Sequence, residues 1–169
     1  MATPKHTIVV SVANRPGVLN RVASLFRRRG FNIESIAVGG SELAGVSRMT
    51  IIVDGANTVI EQVRKQLDKV VDVIKVSDIS GENIISRELA LIKVKTASVT
   101  RSEVIQIVDT FRAKVVDVST DSVTVEVTGD EAKIDSLYNL LRPFGVKEIS
   151  RTGVVAMTRG TSDNGRSEE

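Results

Sequence analysis

Residues 13–19, Ala-Asn-Arg-Pro-Gly-Val-Leu, carry the groups best placed for chemistry in this chain. The residues before them, 6–12, are rich in β-branched side chains and read as a strand. After them, Val18, Leu19, Val22, Leu25 and Phe26 recur with the spacing of one apolar helix stripe. A strand thus turns directly into an amphipathic helix. Pro16 suits a first helical turn, and Gly17 lets a ligand approach the backbone. Unpaired N–H groups at a helix start, aided by the helix dipole, attract an anion. The chemistry on offer is recognition of a carboxylate by the amides around residues 17–19.

The other reactive residue types do not assemble into a catalytic set. His6 is the single histidine, at the start of the first strand, and the chain has no cysteine. No Ser/His/Asp or Cys/His arrangement can be built from these, and no disulfide. The acidic pairs Asp68/Asp72 and Glu126/Asp130 lack the His or Cys neighbours of a metal site, so none is expected. The glycine-containing stretch 39–45 has no phosphate-loop lysine and opens no helix, so it reads as a hairpin connection. Arg15 and Gly17 would also suit the phosphate cradle of small acyl-phosphate hydrolases. The loop differs from that family's Gln-Gly-Val-type cradle, however, and the second half of the chain would be left without a role.

Composition narrows the class further. The 169 residues are 41% hydrophobic and 26% charged, as expected of a soluble, core-forming chain, and the net charge is only +2. Five aromatics (Phe26, Phe31, Phe111, Tyr138, Phe144) fall mostly at core positions rather than among basic residues, so no nucleic-acid partner is expected. Arg27-Arg28-Arg29 lies in the last turn of the first helix, just before Gly30, where cations complement the dipole; a partner contact is the alternative. No apolar run reaches membrane length and no signal-like segment follows Met1, so no membrane association and a cytoplasmic location are expected.

The elements that must position the loop occur twice. Residues 5–79 read strand, helix, strand, strand, helix, strand, with Asn57 or Thr58 expected to cap the second helix. Residues 80–88 have linker character, and 89–158 repeat the pattern, with Thr100 and Asp130 as caps; the polar residues 159–169 form a tail expected to be disordered. The fold class predicted is α+β: two tandem ferredoxin-like βαββαβ units, each a four-stranded antiparallel sheet with two helices on one face. The first strand is apolar on both faces (Ile8, Val10, Val12 against Val9, Ala13). The helix-free face should therefore also be covered, and a homodimer or larger assembly is expected.

Asn14-Arg15-Pro16-Gly17-Val18-Leu19 matches the Asn-x-x-Gly-x-Leu loop of ACT domains. Longer stretches narrow the resemblance: Arg29-Gly30-Phe31-Asn32-Ile33-Glu34-Ser35, Lys69-Val70-Val71-Asp72-Val73, Arg87-Glu88-Leu89-Ala90-Leu91-Ile92-Lys93-Val94 and Arg151-Thr152-Gly153-Val154-Val155-Ala156-Met157. Together the chain resembles the small regulatory subunits of acetolactate synthase (acetohydroxyacid synthase), an ACT domain followed by that family's C-terminal domain. The resemblance implies a non-catalytic subunit of branched-chain amino-acid biosynthesis. It would bind and activate a large catalytic subunit, pair with a second copy through ACT domains and confer feedback inhibition by valine. It places thiamine diphosphate, Mg²⁺ and FAD on the large subunit, with no cofactor in this chain.

The same resemblance places the effector between two ACT domains, at Asn14 and Gly17 of one copy and Asn32 and Ile33 of the other. Amides near Gly17 would take the carboxylate, and the Asn14 and Asn32 side-chain oxygens would accept from the ammonium. Val18, Leu19 and Ile33 would face the valine side chain, though Val18 and Leu19 also fit a core. Asn14 is alternatively a helix cap and Asn32 a turn residue. The runner-up function is a stand-alone tandem ACT-like amino-acid sensor acting on another enzyme or on transcription.

Overall fold

The computed structural model describes residues 4–160. The first half contains β1 (Lys5–Ala13), α1 (Val18–Arg28), β2 (Ile33–Gly40), β3 (Val46–Asp54), α2 (Asn57–Leu67) and β4 (Val73–Asp78). The second contains β5 (Ile84–Lys95), α3 (Arg101–Thr110), β6 (Lys114–Val118), β7 (Ser122–Gly129), α4 (Glu131–Leu141), a 3₁₀ turn at Arg142–Phe144, β8 (Val146–Arg151) and β9 (Val155–Thr158). The first sheet has the order β2-β3-β1-β4; the second has the order β6-β7-β5-β8, with β9 added on β5.

Alternation along β1 decides which side the helices cover. Ile8, Val10 and Val12 are buried, with Met49, Ile51 and Val53 beside them on β3. The helices supply Val18, Val22 and Phe26 from α1 and Ile60, Val63 and Leu67 from α2, each set on one helical stripe. In the second half the same logic gathers Ala90, Ile92 and Val94 of β5, Val123, Val125 and Val127 of β7, Val104 and Val108 of α3, and Ile134, Leu137 and Leu141 of α4. Two ferredoxin-like cores result.

Four expectations need correction. β5 begins at Ile84, inside the stretch expected as linker over 80–88, because Ile84 packs on the cluster of Val9, Ile79 and Ala156. The second sheet has a fifth strand, β9, where only an apolar run was anticipated. Neither Asn57 nor Thr58 caps α2; Ala56 stands at that position, and no side chain caps the helix. Thr100 does stand at the start of α3, but its hydroxyl accepts from the Ala97 N–H at 2.9 Å rather than from the helix. Asp130 caps α4 as expected, accepting from the Lys133 N–H at 2.8 Å.

The compact units also depart from the boundaries of 5–79 and 89–158. Gly40–Ile85 and residues 156–160 group with residues 4–34, whereas Ser35–Gly39 group with Ser86–Val155. Hydrogen bonding and burial account for both exchanges. The Val154 N–H donates to the Ser35 hydroxyl at 2.8 Å, and Ala156 is buried beside Val9 and Ile79. The tail expectation falls, past Gly160, outside the described residues. Among the described residues no helix is long and apolar enough to cross a membrane.

One ion-pair network ties three elements of the second unit. The Arg151 guanidinium on β8 donates to the buried Glu88 carboxylate through Nη2 and, at 3.1 Å, through Nε; Nη1 donates to Asp135 of α4 at 2.8 Å. Glu88, followed by Asp135, stabilises the cation and raises the Arg151 pKa above its ordinary value. A cation with a raised folded-state pKa contributes its stabilisation at and below neutral pH and loses it only in strong base. Arg151→Ala strands Glu88 and should cost about 3 kcal/mol, the low end for a broken buried pair because the Arg151 side chain is 34% exposed. Urea titrations of both proteins should give the same difference between about pH 6 and 9.

Candidate functional site

The loop between β1 and α1 is held mainly by its main chain. The Ala13 N–H donates to the Asp72 carbonyl and the Asn14 N–H to the Gly45 carbonyl, both at 2.8 Å, and the Arg15 N–H turns back to the Ala13 carbonyl at 2.9 Å. Gly17 then takes a left-handed conformation, φ +85°, and starts α1 with no side-chain cap. That φ is the physical reason for a glycine here. A Cβ at Gly17 would meet nothing within 4 Å, so the position is open to ligand or solvent.

Two arginines brace the loop from outside. Arg21, one turn into α1, donates to the Asp72 carboxylate, and Arg15 Nη1 lies 3.9 Å from its other oxygen. Asp72 itself is buried just before β4. Among the described residues the N–H groups of Gly17, Leu19 and Asn20 have no hydrogen-bond partner, whereas the Arg21 N–H bonds the Gly17 carbonyl at 3.1 Å. The corner is an exposed set of free amides flanked by two guanidinium groups and one carboxylate. Free amides and guanidinium groups suit an anion.

The six residues singled out from the sequence divide into two groups. Asn14 and Gly17 are exposed at the loop, and the Asn14 side chain makes no hydrogen bond among the described residues, so it does not cap the helix. Leu19 is 47% exposed beside them, but Val18 is only 2% exposed and belongs to the core with Val22 and Phe26. The anticipated contact of the Val18 side chain with a ligand is therefore corrected: only its backbone faces the site.

Asn32 and Ile33 lie at the other end of the sheet. β2 and β3 form a hairpin closed by the Ser41 N–H on the Val46 carbonyl, and Gly45 of that turn abuts Asn14. The start of β2 consequently sits beside the start of β1, where Glu34 pairs with Lys5 at 2.9 Å. Eight strand steps of about 3.3 Å separate that end from Ala13, roughly 26 Å. Asn32 is held there by Phe31, which packs edge-on to Phe26 with ring centroids 6.5 Å apart after a left-handed turn at Gly30. One chain does not bring the two groups together.

Sequence reading missed Arg21 and Asp72 as parts of this corner and left Arg15 without a role. Only the spacing of Gly17 and Arg21, one helical turn, hinted at the first; the approach of Asp72 depends on strand pairing. His6 is buried, with Nε2 on the Gly55 carbonyl at 3.1 Å and Nδ1 3.4 Å from Asp78. It takes no part in the loop.

A family model described as an AHAS small subunit-like ACT domain matches residues 8–75, and one described as the small subunit of acetolactate synthase matches residues 87–160. The acetolactate synthase small subunit of Mycobacterium leprae is 57% identical over 93% of this chain and 93% of its own length. The chain belongs to the acetolactate synthase small-subunit family. Within that family, the Bacillus subtilis acetolactate synthase small subunit is 54% identical, covering 96% of this chain and 95% of its own. The crystal structure of the acetolactate synthase small subunit from Thermotoga maritima superposes with a TM-score of 0.87 at 45% identity, covering 94% of this chain and 99% of that one.

The anchoring role of Asp72 is testable without a ligand. Both arginine partners are more than half exposed, so solvent screens much of the attraction. Asp72→Asn should lower stability by only about 1 kcal/mol by urea denaturation, while hydrogen exchange at the bonded amides of Arg15, Val18 and Arg21 accelerates markedly. Unchanged exchange there would mean that the main chain alone holds the loop.

Proposed function

We propose that this chain is the regulatory subunit of an acetolactate synthase, conferring valine feedback inhibition on the large catalytic subunit that it binds and activates. The reaction's thiamine diphosphate, Mg²⁺ and FAD belong to the large subunit. Among the described residues no three His, Asp or Glu side chains converge as ligands for the metal ion.

The observation that carries this reading is the set of free amides at Gly17, Leu19 and Asn20 together with the remote position of Asn32 and Ile33. α1 runs from the first group back toward the second, so a two-fold axis across the middle of this helix exchanges its ends. Gly17 of one protomer then approaches Asn32 of its partner, and two-fold symmetry forms the reciprocal contact as well. The valine carboxylate lies on the helix-start amides, with Arg15 and Arg21 adding positive charge. The Asn14 oxygen and the partner's Asn32 oxygen accept from the ammonium. Leu19 and the partner's Ile33 cover the isopropyl group. An apolar contact of this kind discriminates a methylene by only about 1–3 kcal/mol, so leucine and isoleucine bind more weakly but measurably.

Inhibition follows if valine binds the inhibited assembly more tightly than the active one, a coupling of typically about 1–3 kcal/mol. Joining two ACT domains stiffens the dimer that grips the catalytic subunit. Gly17→Asp tests this, because Asp tolerates a left-handed conformation and places a negative charge on the carboxylate position. In assays of the reconstituted holoenzyme it should abolish valine inhibition and keep most of the activation. Gly17→Asn, equal in shape and uncharged, should retain partial sensitivity. Normal valine binding by calorimetry in the Asp variant would refute the site.

A further inference from the structure

The helix-free face of the first sheet carries a cationic row where an apolar one is expected. Register places Arg48 of β3 and Lys75 of β4 on either side of Ser11 of β1. In the neighbouring row Ser77 lies beside Val9. These side chains, with Met157 and Thr158, line one open depression whose floor is Val9 and Ile79. A β-bulge creates the row. Val12 pairs with Val73 and Ser11 with Lys75, so Ile74 is skipped, and Val73 and Val76 can both face the helices while Lys75 faces the depression.

Among the described residues neither cation is neutralised locally. Arg48 Nη2 donates to the Ala156 carbonyl at 2.9 Å, which orients the guanidinium without pairing its charge. Lys75 makes no ion pair among the described residues, and the Ser11, Ser77 and Thr158 hydroxyls have no hydrogen-bond partner among them. Glu82 stands exposed on the rim as the single acidic side chain lining the depression. Two cations and three free hydroxyls, contributed by three sheet strands and β9, converge on one concavity.

We propose that this depression binds a tetrahedral oxyanion, either inorganic phosphate or the phosphoryl group of a monoester, between Arg48 and Lys75. A dianion matches two cations. Three or four oxygens engage donors arriving from several directions, whereas the two oxygens of a carboxylate leave donors unused. Arg48 forks onto two oxygens, Lys75 supplies a point charge from the opposite side, and the hydroxyls complete the cradle. The site is separate from the β1–α1 loop, and its occupation does not require a ligand there.

The test uses the full chain, titrated with inorganic phosphate by calorimetry at constant ionic strength maintained with chloride. Saturable binding is expected with a Kd on the order of 1 mM, competed by sulfate and not by acetate. Lys75→Gln and Arg48→Gln should each weaken it about tenfold, and Glu82→Gln should tighten it about threefold by removing the opposing charge. Gly17→Asp should leave it unchanged. Glycerol phosphate binding more tightly than phosphate would identify a monoester as the occupant, and the reverse order free phosphate. Absence of saturable binding, equal competition by acetate, or wild-type affinity in Lys75→Gln and Glu82→Gln would overturn the proposal. Loss of phosphate binding in Gly17→Asp would do so too, since the anion would then sit at the start of α1. The two exposed-residue variants keep the test decisive even if Arg48→Gln fails to fold.

Discussion

How β1 is held at its C-terminal end governs the first unit. Asp72 and Gly45 each offer a carbonyl to consecutive amides of the strand, and the buried Asp72 carboxylate gathers Arg15 and Arg21. A buried carboxylate costs free energy unless it is paired and hydrogen-bonded; here the pairing also fixes the exit of the chain. From that point the backbone can enter α1 through a left-handed residue, and glycine, lacking a Cβ, adopts it without strain. The free amides of the helix start are thus positioned before any ligand arrives. Binding there pays little ordering entropy, and preorganisation of this kind favours affinity for a molecule as small as an amino acid.

Antiparallel pairing then decides how many chains the proposed effector site needs. The hairpin of β2 and β3 returns the chain to the Gly17 corner at its turn, which sends the start of β2, with Asn32, to the opposite end. An amino acid spans only a few ångströms and cannot bridge the length of β1. Either the two groups serve different ligands or two protomers share one. Within the proposed regulatory function the second arrangement is the informative one. A ligand whose carboxylate and ammonium rest on different chains reports on their relative position, and only a ligand with unequal affinity for two arrangements can shift their populations.

Periodicity made the larger features legible. Alternating burial in β1, β5 and β7 and the helical stripes Val18/Val22/Phe26 and Ile60/Val63/Leu67 made both ferredoxin-like cores readable, as strand, Pro, Gly and amphipathic helix did the Gly17 turn. What escaped was long-range. The approach of Asp72 to Arg15 and Arg21 joins residues some fifty positions apart and is created by register, which no local window contains. β9 was invisible for a related reason: a four-residue apolar run has no periodicity to classify, and its strand character comes from pairing with β5. The same strand revises the argument for a dimer. Val9 is apolar on the helix-free face, yet Ala156, Ile79 and Ile84 of its own chain bury it, so covering Val9 does not require a second copy. The case for one rests on the divided site.

The bulge at Ile74 joins these threads. It separates Asp72, which anchors the loop, from Lys75, which faces the depression, by two residues of the same strand. A bulge bends its strand and locally disrupts the ladder, and packed elements shift between discrete arrangements rather than deforming continuously. An oxyanion drawing Lys75 toward Arg48 and an amino acid drawing on the amides braced by Asp72 would therefore act on one short segment from opposite faces of the sheet. Linkage makes any such effect reciprocal: the factor by which phosphate changes valine affinity must equal the factor by which valine changes phosphate affinity. A bulge that relays both must shift with either ligand alone, and a rigid one would leave the two sites energetically independent although they share strands β1, β3 and β4.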